Sequence, residues 1–198
     1  MTRRYSGSRD AGNAAPVRRG GGAPIPNRIG YLGRAGEKAE GWQVSTPGIE
    51  TLNAAARGER DALAEVARAI QRFAVPYCRA RLRGDCGFRG ADAVAAQVCL
   101  DVLTGLSRNG GGSLHFLEVV YPATASRVDE AIRGPHAPGP PRSRPLMQSL
   151  CGLERETLLL RVLVGLTPQQ TGHALGLSAP EVQRYAHRAL NRLRKEVI

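Results

Sequence analysis

The 198 residues hold 28 Lys+Arg against 17 Asp+Glu, a formal net charge of +11, with 42% hydrophobic and 5% aromatic residues. That length suits one ordinary domain or two small ones; the hydrophobic share excludes wholesale disorder, and the scarcity of aromatics leaves Leu, Val and Ala to build the cores. No apolar run approaches the roughly 20 residues of a membrane span, and no apolar stretch of the signal-peptide kind follows Met1-Thr2-Arg3-Arg4, so a cytoplasmic protein without membrane insertion is expected.

Residues 1–50 are rich in Gly, Pro, Arg and Asn, including Gly20-Gly21-Gly22 and Pro24-Ile25-Pro26. Without sustained periodicity they read as a disordered arm, with Trp42 the one large hydrophobe near its end. Residues 51–133 read as a helical body. Leu63, Val66, Ile70, Phe73, Ala74 and Tyr77 recur at three- and four-residue spacing. A loop is expected around Arg83–Gly90. A second helix over 91–106 has Val94, Val98, Cys99, Val102, Leu103 and Leu106 as its apolar stripe, and Asn109 to Gly112 ends it. A third stretch, 115–133, turns Phe116, Val119, Val120, Ala123 and Val128 inward, with a break or helix start expected near 121–122 because Pro122 costs about 3 kcal/mol inside a helix. Residues 134–145 contain five prolines and form a stiff, non-helical tether.

The C-terminal body, 146–198, opens with a helix over 153–165 whose core is expected to include Leu158, Leu159, Val162 and Leu163. Thr167 with Gln170 three residues later has the pattern of a capping box, and Pro168 fits the first helical position. Ser178 and Glu181 repeat the pattern after the turn at Gly176. Two capped starts separated by a glycine turn predict a helix-turn-helix. In its second helix Val182, Ala186, Ala189 or Leu190, Leu193 and Val197 face inward; the other face offers Gln183, Arg184, His187, Arg188, Asn191, Arg192 and Lys195. Such a helix suits the major groove. Its first turn puts Ser178, Ala179, Pro180, Gln183 and Arg184 near base edges, with His187, Arg188 and Arg192 further along. An αα corner with a solvated basic face is the competing reading.

The remaining chemistry is sparse. Lysine occurs only at 38 and 195, so 26 of the basic residues are arginine, whose fork suits phosphate; coding bias could also produce that composition. The positive excess is spread along the whole chain, so nucleic-acid contact is expected from folded surfaces rather than a polybasic tail. Cys78, Cys86, Cys99 and Cys151 form no CxxC, and His115, His136, His173 and His187 are scattered. The cysteines read as buried small hydrophobes, and neither a metal nor a cofactor is expected. No nucleophile–base pair, paired carboxylates or phosphate loop is present, so no catalytic residue is expected.

The run from Leu158 to Val197, LLLRVLVGLTPQQTGHALGLSAPEVQRYAHRALNRLRKEV, resembles region 4 of bacterial sigma factors, which reads the −35 promoter element. The body before it resembles region 2, through Tyr77-Cys78-Arg79-Ala80-Arg81, Ala91-Asp92-Ala93-Val94 with Gln97 to Leu100, and Phe116-Leu117 with Tyr121. Two such bodies with only a short linker between them resemble the extracytoplasmic-function (ECF) class of the sigma-70 family, most closely its actinobacterial sigma-D-like branch. The resemblance implies an all-α fold of two small helical domains. It implies core RNA polymerase as a partner, bound through Asp92, Gln97 and Asp101 on the 91–106 helix against a coiled coil of the largest subunit. Promoter DNA is the second partner, with Tyr121, Arg127 and Arg133 meeting the −10 strand; an anti-sigma factor is the third. The sequence departs from the family where Ala93, Ala96 and Gln97 replace an acidic, a glutamine and an acidic residue, and at Pro122, Ser126 and Ile132. The alternative these departures leave open is a sigma-derived DNA-binding regulator that has lost core polymerase affinity.

Overall fold

The computed structural model describes residues 44–82, 87–109, 115–134 and 149–197. The arm up to residue 43 with Trp42, Cys86, the glycine break at 110–112, His136 and the prolines of the tether lie outside the described residues. Residues 39–198 form one compact unit, to which everything below belongs.

The described residues are helical, without strands. α1 is Ile49–Ala56, α2 Arg60–Arg81, α3 Gly87–Asn109 and α4 Phe116–Arg133. In the C-terminal half, α5 is Gly152–Leu158, continued by a π-helical segment Leu159–Val164, then α6 Pro168–Leu175 and α7 Ala179–Val197. The expected stripes are in place: Val66, Ile70, Phe73, Ala74 and Tyr77 of α2 pack with Val98, Cys99, Val102 and Leu106 of α3 and with Phe116, Val120 and Val128 of α4.

Several expectations are corrected. The folded body already includes Val44, buried 6% exposed, and α1 begins at Ile49, so 44–50 are not part of an arm. Residues 87–90 belong to α3 rather than to a loop. Pro122 neither breaks nor starts a helix: α4 runs through it, as α2 runs through Pro76. Pro122 lies on the exposed side, where water can satisfy the Glu118 carbonyl freed by the missing N–H, and buried Val120 and Thr124 hold the helix on either side. Cys78 and Cys99 are buried, Cys151 exposed; burial pushes the Cys78 thiol up to about 12.

The helix after Gly152 has a second register. The wider turn of the π segment shifts its later side chains, so Leu160 and Val164 enter the core while Val162 and Leu163 are 61% and 48% exposed. Gly165, at φ 84°, ends the segment, and the Leu166 N–H bonds back to the Leu160 carbonyl.

The two halves share a hydrophobic core: Leu160, Val164, Leu166 and Ala174 belong to the same buried cluster as the residues of α2, α3 and α4. A smaller cluster of Leu150, Leu158 and Ala189 holds α7 on α5.

Candidate nucleic-acid interface

α6 and α7 make the expected helix-turn-helix. At the first start the capping box is complete: Gln170 N–H donates to Thr167 Oγ1 at 3.1 Å and Thr167 N–H to Gln170 Oε1 at 2.9 Å. At the second, Glu181 Oε2 accepts from the Ser178 N–H at 2.9 Å, but the Ser178 hydroxyl donates to the same carboxylate at 2.7 Å instead of capping a backbone N–H. Those bonds hold the Glu181 carboxyl below its ordinary range.

The turn depends on two glycines. Gly176 adopts φ 68°, a left-handed conformation that costs other residues. Gly172 permits a close approach, since a Cβ there would lie 2.3 Å from the Leu177 carbonyl oxygen. Val182 and Ala189 pin α7 inward, and Gln183, Arg184, His187, Arg188, Asn191, Arg192 and Lys195 are exposed on the other side.

The candidate DNA contacts are not equally available. Ser178 is occupied with Glu181, and Arg184 sits 3.7 Å from the same residue. Arg192 donates to Glu154 Oε2 at 3.0 Å, and Glu154 is 2% exposed and also accepts the Cys151 N–H. A cation so placed neutralises a buried carboxylate, which gives Arg192 a structural task. Arg188 and Gln183 are exposed one turn apart; Ala179 and Pro180 form the first turn of α7.

In the N-terminal half, Asp92 is held bidentately by Arg79, at 2.7 and 2.8 Å, so its carboxyl lies below the ordinary range. Gln97 donates to Asp101 at 3.0 Å, and Asp101 also accepts from Arg127 Nε at 2.6 Å. Arg127 bonds Glu130 as well. A candidate polymerase contact, Asp101, is thus paired with a candidate −10 contact, Arg127, across α3 and α4. Arg133 is exposed with its Nε on the Asp129 carbonyl. Tyr121 is half-buried edge-on to Tyr77, with ring centroids 6.1 Å apart, and burial pushes its phenol up to about 12.

Three features escaped the sequence reading. Leu100 stands 60% exposed on α3 beside exposed Ala93, Ala96 and Gln97. Glu156 joins the halves, accepting from Tyr77 Oη and from Arg81, each at 2.8 Å. Gln170 Nε2 reaches the Val44 carbonyl at 3.0 Å, tying the start of the folded body to α6. Helical spacing predicts faces, and these are pairings between elements, so only the exposed Leu100 carried a signal, as an apolar residue off the buried stripe.

Comparison with known proteins gives a consistent answer. No protein-family model matches the chain. It is 34% identical to the ECF RNA polymerase sigma factors SigD of Mycobacterium tuberculosis and Mycobacterium bovis over 172 residues, covering 73% of this chain and 81% of theirs. It is 29% identical over 175 residues to the ECF sigma factor ShbA of Streptomyces griseus, covering 72% and 91%. Among solved structures it is similar to CnrH in complex with the cytosolic domain of CnrY, with a TM-score of 0.58 at 15% identity over 75% of this chain and 96% of that one. Two helical halves, a capped helix-turn-helix and this identity over most of the chain agree: the protein belongs to the ECF RNA polymerase sigma factors.

Proposed function

We propose that the protein is an alternative sigma factor which binds core RNA polymerase through α3 and directs it to promoters, reading the −35 duplex with α7 and the −10 strand with α4. The observation that carries the DNA half of this reading is the α6–α7 unit, whose caps, glycine turn and exposed Gln183, Arg184 and Arg188 present a basic helix to a groove. The polymerase half rests on the face of α3 that holds Asp92, Ala93, Ala96, Gln97, Leu100 and Asp101 together on the surface. An exposed leucine ringed by polar groups is the anatomy of a protein-binding anchor. It also offsets the missing acidic residues: apolar contact replaces part of the charge, which favours polymerase binding over the regulator that has lost it. An anti-sigma factor is a third partner in this reading; the CnrH structure contains the cytosolic domain of CnrY.

Within α7, Arg188 is assigned to base or phosphate contact and Arg192 to holding Glu154. Arg188→Ala should weaken binding to a −35 duplex by about 1–3 kcal/mol if the arginine reads a base, with the loss confined to the cognate sequence. Fluorescence anisotropy with cognate and scrambled duplexes reads this directly. Equal losses on both would make Arg188 a phosphate contact, and no loss on either would remove it from the interface.

A further inference from the structure

The packing of the two halves is incompatible with simultaneous reading of both promoter elements. Elements centred about 25 base pairs apart are separated by roughly 85 Å at 3.4 Å per pair. A compact body of the size of residues 39–198 has a radius of gyration of about 15 Å. The halves must therefore part. The 14 residues 135–148 permit it, since fully extended they reach at most about 50 Å.

What holds the halves together lies over the candidate −10 surface. Glu156 of α5 accepts from Tyr77 of α2 at 2.8 Å and from Arg81 at 2.8 Å, and Arg81 bonds Asp129 of α4 at 2.9 Å. Arg81 and Glu156 keep only 16% and 14% of their side-chain surface. Tyr121 packs edge-on against Tyr77. At the other end of α4, His115 stacks on His173 of α6, with ring centroids 4.4 Å apart. A strand base cannot stack on Tyr121 while α5 covers this cluster, and the Glu156 carboxylate repels phosphate there.

The geometry points to an autoinhibitory contact: Glu156, bonded to Tyr77 and Arg81, holds the C-terminal half over Tyr121 and blocks capture of the −10 strand until the halves are drawn apart. The inference rests on the proposed role of α4. The contact is partly polar, and one buried donor, Arg81 Nε, lacks a hydrogen-bond partner, so closure is less complete than in a fully satisfied core. Opening also exposes Leu160, Val164 and Leu166, which keeps the free chain mostly closed. A partner that binds the separated halves, as the core polymerase would, supplies the difference. When the competent state is a minor one, apparent affinity scales with its population. Weakening the contact should therefore tighten strand binding without touching the strand.

The test uses the full chain without polymerase, a −10 single-stranded oligonucleotide and two variants. Tyr77→Phe removes one bond without altering charge, and Glu156→Gln removes the anion. Each should speed amide exchange across 158–164, and the pair together should tighten oligonucleotide binding about tenfold. Glu196→Gln, at the exposed end of α7, controls for net charge and should change neither. Unchanged exchange in both variants overturns the contact. Faster exchange with an affinity no better than that of Glu196→Gln overturns the block, while leaving the −10 reading intact if the wild-type chain with core polymerase captures the strand. If that complex fails to capture it, the reading of α4 fails and the block falls with it.

Discussion

Gly172→Ala is expected to destabilise the C-terminal half by about 3 kcal/mol, the top of the range for overpacking. Helix propensity argues the opposite sign, since alanine gains up to about 1 kcal/mol over glycine inside a helix. Sterics win because the new Cβ would stand 2.3 Å from a backbone oxygen, that of Leu177, which cannot rotate away as a side chain would. Moving that carbonyl also disturbs the Leu177 N–H bond to the Gly172 carbonyl, 2.9 Å, and so the angle between α6 and α7. Urea unfolding followed by circular dichroism gives the stability, and anisotropy on a −35 duplex gives the function; both should fall. A variant as stable as the wild type would show that the turn has room the structure does not.

Leu100→Asp is expected to reduce affinity for core polymerase by at least about 2 kcal/mol, the effect of losing an anchor residue, with little change in stability. Leu100 is 60% exposed, so the free protein gives up little burial on substitution. Asp92→Arg, the substitution that the family resemblance suggests first, should also abolish promoter-specific transcription and spare duplex binding. It is the less clean experiment, because Asp92 is held by Arg79 and an arginine there sets two guanidinium groups together. Surface plasmon resonance with immobilised core polymerase distinguishes the outcomes: Leu100→Asp binding within twofold of wild type would move the polymerase contact off this face of α3.

The helices and their inward faces were legible because the buried residues recur at helical spacing, from Val66 to Tyr77 and again from Val98 to Leu106. The helix-turn-helix was legible because its signals are local: Thr167 with Gln170, and Gly176 at the turn. Properties that depend on another element were not. Val162 and Leu163 have the right period for a core helix, yet the π segment turns them outward and brings Val164 in. Pro122 reads as a break, but its cost is met by water on one side and packing on the other. Arg192 reads as a DNA contact until Glu154, 38 residues earlier, is seen beside it. The joining of Tyr77, Arg81 and Glu156 spans more than 70 residues of sequence, and no periodicity reports it.

The most direct test of the sigma-factor reading is to incubate the purified chain with bacterial core RNA polymerase, isolate the complex, and run transcription on a pool of genomic promoter fragments. Stable binding with discrete start sites, preceded by shared sequences at −35 and −10, is the predicted result. A chain that binds duplex DNA but neither associates with core nor produces discrete starts would contradict it, and would identify the protein as a DNA-binding regulator built on a sigma-factor fold.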